Sequence, residues 1–229
     1  MPNIVNNTTL PNFLDLIAPH SCRGCGRLGE VVCNRCKKNI ISQAINLCPF
    51  CKYPLENCRC NLSQTLPPIQ IISWRKSLVG TLIHDLKYHS TRSIAKSLAN
   101  ILCQTLVLPS TPLRIIPLPT NHQHIRKRGL DHTLLISKHL AKQLGGSVKV
   151  SRLLLRNNTT TQVGSSRKER INQAKNAYII NQSIKIEKNV TYLLLDDVWT
   201  TGASVISATK ILRQSNISKL IIAILSLSD

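Results

Sequence analysis

The sequence predicts an α/β chain on a largely parallel sheet, preceded by a small cysteine-rich module. Three observations carry that expectation. Helix-like and strand-like segments alternate through the last two thirds of the chain. The segment "TYLLLDD" has the unbroken apolar centre of a strand buried on both faces. Eight of the nine cysteines crowd between Cys22 and Cys60. The expected organisation is an N-terminal helix or arm with a double zinc-ribbon-like module over residues 1–62, a linker over 63–72, and the α/β domain over 73–229.

Taken in order, the cysteines come as Cys22-x2-Cys25, Cys33-x2-Cys36, Cys48-x2-Cys51 and Cys58-x-Cys60. Pairs this close form thiolate knuckles, in which a tight turn aims two sulfurs at one tetrahedral metal. Gly24 and Gly26 suit the first turn. A disulfide scaffold is the alternative, and it needs an oxidising compartment. Sequential pairing would place Cys22, Cys25, Cys33 and Cys36 on one zinc ion and Cys48, Cys51, Cys58 and Cys60 on another; interleaved pairing would cross-brace the segment instead. Either way the module needs its metal to fold, and four thiolates leave no open coordination position. Its expected role is structural or for interaction.

"NLSQTLPPIQ", with Pro67 and Pro68, reads as a linker. Leu78, Leu82, Ile83 and Leu86 recur at helical spacing, as do Ile94, Leu98, Ile101 and Leu102. Cys103 on the second of these helices reads as a small buried hydrophobe. "LRIIPLP" is a strand stopped by Pro117 and Pro119, and "DHTLLISKHLAKQLG" a helix capped at Gly145 or Gly146. After "TYLLLDD" come a helix over "SVISATKILRQSN", starting near Val205, and a last strand over "KLIIAILSL".

Charge narrows the partners. The chain has 30 Lys and Arg against 10 Asp and Glu, a formal +20. Counting eight thiolates and two zinc ions leaves about +16. Such a field attracts nucleic acid, phosphorylated small molecules or an anionic membrane surface. Aromatic residues are only 3%, too few for extensive base stacking, so phosphate contact is favoured over base reading. No apolar run approaches the roughly 20 residues of a membrane-spanning helix. The first residues carry neither a basic nor a long apolar signal region, so a cytoplasmic location is expected.

The most distinctive stretch is "LLLDDVWTTGAS", Leu193 to Ser204. In an open parallel sheet, ligands sit beyond the carboxyl ends of the strands. Asp196 and Asp197 at such an end suit a vicinal diol. Thr200, Thr201, Gly202, Ala203 and Ser204 lead into a helix whose first amides can cradle a monophosphate. A sugar phosphate fits both halves. A Walker B strand is excluded because no G-x-x-x-x-G-K-[ST] loop occurs. A structural turn with a helix cap remains the plain alternative.

This stretch resembles the phosphoribosyl-diphosphate-binding motif of type I phosphoribosyltransferases. The resemblance implies a fold of that type and a ligand, 5-phosphoribosyl 1-diphosphate, bound with magnesium. Asp196 and Asp197 would hold the ribose hydroxyls and act in catalysis, with Thr200 to Ser204 on the 5′-phosphate. A pyrophosphate loop is then required, and Arg126, Lys127, Arg128 and Gly129 in "IIPLPTNHQHIRKRGLDH" supply one; a solvated basic loop or a nucleic-acid contact is the alternative. Gln162, Arg167, Arg170 and Asn172 in "TQVGSSRKERINQAKNAY" stand where the family has a flap, or form a charged solvent-facing helix.

With "IHDLKYHS" and the cysteine module added in this order, the chain resembles the ComF family. That resemblance implies a part in DNA uptake during natural competence, and as partners single-stranded DNA and competence helicase or uptake proteins. An enzyme transferring a phosphoribosyl group to an unknown acceptor, an inactive ligand sensor and a DNA-binding factor all remain open. Lys87 and Tyr88 match the family's Lys-Tyr, although Lys87 reads equally as a surface charge. Leu130, Asp131 and His132 depart from its usual aromatic-Asn-Gln.

Overall fold

The structure, a computed structural model, describes residues 20–45, 47–60, 66–89, 91–157 and 177–228. The flap residues Gln162, Arg167, Arg170 and Asn172 and the expected N-terminal arm lie outside the described residues.

The cysteine region opens with a hairpin of β1 (His20–Ser21) and β2 (Leu28–Gly29), followed by α1 (Asn34–Ser42). A five-stranded sheet follows: β3 (Ile69–Trp74), β4 (Leu113–Pro117), β5 (Lys149–Val150), β8 (Thr191–Trp199) and β9 (Leu220–Leu227). Its order is β3-β9-β8-β4-β5 and every pairing is parallel. The α/β, phosphoribosyltransferase-like architecture expected from the sequence is therefore the one observed. A separate antiparallel ribbon joins β6 (Leu154–Arg156) to β7 (Tyr178–Ile180). Helices α2 (Leu78–Tyr88), α3 (Ser93–Thr105), α4 (His122–Arg128), α5 (His132–Leu144) and α6 (Ala203–Gln214), with a 3-10 turn over Leu55–Asn57, complete the described elements.

The period-two alternation of strands explains the two-layer core. Leu193 and Leu195 of β8 face α2, α3 and α5 through Leu82, Leu86, Leu98, Leu102, Ile136 and Leu140. Tyr192 and Leu194 face the opposite layer, with Ala208 and Leu212 of α6. Fully burying one such leucine is worth about 1.5–3 kcal/mol, so a Leu194→Ala cavity would cost about 2–5 kcal/mol.

Two boundaries differ from expectation. Strand β3 begins at Ile69, inside the stretch read as linker, because Ile69, Ile71 and Ile72 are core residues that the prolines before them masked. The first half of the cysteine region also does not stand apart. Val31, Val32 and Ile40 belong to the same apolar cluster as α2, α3 and the sheet. Cys103 packs against that cluster, and burial raises its thiol.

This topology positions the site. After β4 the chain turns toward β5 at one edge, while after β8 it turns toward β9 and the other. The gap between β4 and β8 is thus a topological switch point, where loops part and leave a crevice. Pairing stops there: Pro117 is opposite Leu195, Leu118 N–H donates to the Leu195 carbonyl at 2.9 Å, and β4 ends. Strand β8 runs on to Trp199 beside β9 alone.

Candidate ligand site at the switch point and two cysteine tetrads

Asp196 and Asp197 stand on this overhang of β8. They lie inside the strand rather than after it, because Val198 and Trp199 continue the pairing with Ser226 and Leu227. Alternation then sends the two carboxylates to opposite faces. Asp197 is buried, and its Oδ2 is the meeting point of two side chains: the Lys87 ammonium from the last turn of α2, and His132 Nε2, 2.9 Å away, from the start of α5. Burial alone would raise Asp197, but His132 and Lys87 outweigh it and hold the carboxyl well below the ordinary carboxylate range. Asp196 goes the other way. Burial, and then the Asp197 charge beside it, push it well above its ordinary value, against the Asp197 N–H that donates to its Oδ1 at 2.8 Å. The surroundings therefore favour ionisation of Asp197 and oppose that of Asp196.

Lys87 is consequently no surface charge. It was legible only through the Lys-Tyr resemblance; period alone put it on a helix face. His132 carried no signal of its own. The departure from the family's residues after Gly129 resolves into two jobs: Asp131 caps α5, accepting from Leu134 N–H and Thr120 Oγ at 3.2 Å each, and His132 reaches Asp197.

Beyond Trp199, Thr200 and Thr201 form a short exposed turn. Gly202 caps α6 in a left-handed conformation, φ 74°, and the helix starts at Ala203, two residues earlier than expected. Gly202 has no side chain to cap this helix, Thr201 Oγ1 accepts only a long 3.4 Å hydrogen bond from Ala203 N–H, and no acidic residue sits in the first turn. Its first amides and dipole therefore face outward with the Thr and Ser hydroxyls, which is what an anion takes up. A Cβ on Gly202 would lie 2.2 Å from the Trp199 ring, so only glycine fits. Tyr178, unremarked in the sequence, backs this loop. Burial raises its phenol, and a hydrogen bond with Ser204 counters that.

The basic cluster differs from the loop that was expected. Arg126, Lys127 and Arg128 form the last turn of α4, with Gly129 at φ 69° as the left-handed residue closing it. Asn121 Oδ1 caps the helix start by accepting from Gln123 N–H. Seven residues are too few for periodicity to reveal a helix. Cations at a helix C-terminus also stabilise it through the dipole. Arg126 and Lys127 are exposed, whereas Arg128 lies over the Tyr88 ring and donates to its hydroxyl at 3.4 Å, one residue from Lys87.

The eight N-terminal cysteines gather sequentially: Cys22, Cys25, Cys33 and Cys36 in one tetrad, and Cys48, Cys51, Cys58 and Cys60 in the other. The Cys25 and Cys33 sulfurs are 3.6 Å apart, and those of Cys51 and Cys58 3.7 Å. A tetrahedral zinc ion with bonds of roughly 2.3 Å separates its sulfurs by about 3.8 Å. Backbone N–H groups of Gly24 and Cys33 point at the Cys22 sulfur, as in a metal knuckle. Burial opposes ionisation of Cys22, yet those N–H groups bring it down to about 6. In the same tetrad burial, then the neighbouring sulfurs, push Cys36 up to about 12. Hydrogen bonding to Cys51, then burial, does the same to Cys60. Four thiols so crowded resist joint ionisation until a divalent cation binds them, and both sets fit zinc. A third set, His84, Asp85 and His89, also brings donor atoms together, but Asp85 is already paired with Arg23 at 2.9 Å.

Residues beside each tetrad pack on an element that carries part of the candidate site. Beside the first, Arg23 pairs with Asp85 of α2, and Gly24 packs so tightly on Leu78 that a Cβ would come within 2.7 Å. That helix carries Lys87. From the second, Phe50 stands edge-on to Trp199, centroids 5.4 Å apart, and Trp199 is the ring against Gly202. Lys52 donates to the Ser228 carbonyl at 2.9 Å.

Among the described residues no helix is long and apolar enough to cross a membrane. No family model matches the chain. It is 26% identical over 193 residues to the DNA utilization protein YhgH of Salmonella typhimurium, covering 79% of this chain and 83% of that one. It is 28% identical over 195 residues to the protein of the same name from Salmonella typhi, with the same coverage. It is 27% identical over 230 residues to Competence protein F of Haemophilus influenzae, covering 91% of this chain and 96% of that protein. A match of that length takes in the cysteine tetrads and the acidic strand together, and with the fold it supports assignment to the ComF family.

Proposed function

We propose that the chain binds 5-phosphoribosyl 1-diphosphate at the β4–β8 switch point and serves DNA uptake, the process to which its relatives' names point. One observation carries the ligand reading. A carboxylate pair and a helix start capped by a glycine, five residues apart on one segment, flank the gap where, among the described residues, the parallel strands turn apart. The 5-phosphate takes the amides of Gly202 to Ser204 and the hydroxyls of Thr200, Thr201 and Ser204. The ribose hydroxyls donate to Asp197 and Asp196. The diphosphate lies toward Arg126, Lys127, Arg128 and Gly129, with Gln162, Arg167, Arg170 and Asn172 as the flap. In a transfer reaction the bond from C1 to the diphosphate oxygen breaks and an acceptor nucleophile bonds to C1. The Asp197 charge then favours the cationic sugar, and the cations of α4 favour the leaving diphosphate. Magnesium, expected with this ligand, is a partner of its diphosphate. The carboxylate pair does not fit as a protein-held magnesium site, since both Lys87 and His132 already stand on Asp197 Oδ2.

A second reading, direct contact with single-stranded DNA, is favoured by the formal charge of +20 and the exposed Arg126 and Lys127. Calorimetric titration separates the two. Sugar-diphosphate binding is lost in Asp196→Ala/Asp197→Ala, whereas DNA binding falls with salt and survives that change. Membrane association through the same basic surface predicts salt-sensitive binding to anionic vesicles.

A further inference from the structure

The carboxylate pair is balanced by a cation belonging to the chain itself. The Lys87 ammonium and His132 Nε2 converge on one oxygen, Asp197 Oδ2, and all three side chains are largely shielded from water, with 16%, 5% and 8% of their surfaces exposed. Magnesium demands oxygen ligands at about 2.0–2.1 Å in near-octahedral array and parts with water reluctantly. An ammonium already on that oxygen excludes it by charge and by space. Asp196 is a poor substitute, because the Asp197 N–H already donates to its Oδ1 and burial beside a second carboxylate opposes its ionisation. One carboxylate and one ammonium sum to zero, so the pair sets up no field that draws in a free divalent ion.

Lys87 is held where it is by more than the ion pair. Leu82 and Leu86 bury the same helix, Arg23 ties Asp85 to the first cysteine hairpin, and Arg128 covers Tyr88. An ammonium has three donor hydrogens. While one engages Asp197, others can reach the oxygens of a ribose seated on the pair.

We propose that Lys87 is the resident counter-cation of this site, so that the chain holds the ribose-phosphate end of its ligand without a divalent metal bound to the protein. This deepens the ligand reading above and rests on it. It assigns to a side chain a charge-balancing part that would otherwise fall to magnesium.

The test is calorimetric titration of 5-phosphoribosyl 1-diphosphate into the full, zinc-loaded chain in two buffers. One contains magnesium; the other is freed of it over a chelating resin, since a soluble chelator would compete for the thiolate-bound zinc. The wild type is expected to bind in both, with dissociation constants within about tenfold of each other. Lys87→Met, matched in length and uncharged, is expected to lose at least about 30-fold in the magnesium-free buffer and to recover with magnesium, because Asp197 is then available. Wild-type binding seen only with magnesium overturns the proposal, as does a folded Lys87→Met that binds like wild type in both buffers. Should Lys87→Met fail to fold, the wild-type comparison decides alone. Absence of binding in both buffers instead overturns the parent ligand reading, and this inference with it.

Discussion

The two cysteine tetrads look alike in sequence and are built into the molecule differently. The first is part of the main core: Cys22 and Cys33 are buried, and Val31, Val32 and Ile40 between and after its ligands join the layer of α2, α3 and α5. In the second only Cys48 is buried, and its grip on the sheet runs through Phe50 on Trp199 and Lys52 on the Ser228 carbonyl. The first braces the helix that carries Lys87, and the second braces the turn that precedes α6. Two similar cysteine tetrads are thus joined to the fold differently, one through the apolar core and the other through contacts beside the turn before α6.

Removing metal is the largest perturbation. Structural zinc is worth on the order of 10 kcal/mol in small modules, comparable to the whole stability of a domain. Cys22→Ser should therefore lower the thermal midpoint by at least about 10 °C, while Cys48→Ser should lower it less and mainly weaken ligand binding. Paired melting curves and zinc contents check this; equal losses of stability would erase the distinction between the tetrads.

Next comes the carboxylate that the first tetrad serves through α2. Asp197→Asn leaves Lys87 without its charge partner in a shielded place, at a cost of about 3 kcal/mol. Asp196→Asn should be close to neutral at low pH, where the wild-type carboxyl is uncharged in both the folded and the unfolded chain. Their pH dependences have opposite signs. Asp197 is depressed, so its contribution is present above the unfolded value of about 3.9 and fades as pH falls through the lower folded value. Asp196 is raised, so its contribution is present at low pH and fades as pH rises through its folded value; Asp196→Asn should gain on wild type in that direction. Denaturant midpoints between pH 3 and pH 8 measure both.

On the second tetrad's side, Gly202→Ala forces a Cβ against the buried Trp199 ring at positive φ, and about 2 kcal/mol with reduced ligand affinity is expected. Phe50→Ala removes one edge-to-face contact, about 1 kcal/mol, and its effect on affinity should exceed its effect on stability. If Phe50→Ala leaves affinity unchanged, the second tetrad does not place the loop.

Much of this was legible in the residues. The apolar run of β8, the helical spacing of α2 and α3 and the close cysteine pairs are local signals, and local physics decided them. What stayed hidden depends on distant contacts. His132 means nothing until α5 lies beside β8. Lys87 reads as surface until the same packing shields it. Trp199 and Phe50, 149 residues apart, meet only in the fold. Helix α4 was missed for a different reason: at seven residues it is shorter than two turns of apolar period, and its cations suggested a solvated loop.

Titrating 5-phosphoribosyl 1-diphosphate into the wild type and Asp196→Ala/Asp197→Ala decides whether the switch point between β4 and β8 is a sugar-diphosphate site. Binding with a dissociation constant of about 1–100 μM in the wild type, lost in a variant that keeps its zinc and its fold, is the expected result. A folded, zinc-loaded wild type that binds nothing, or a variant that binds as tightly as wild type, would contradict it.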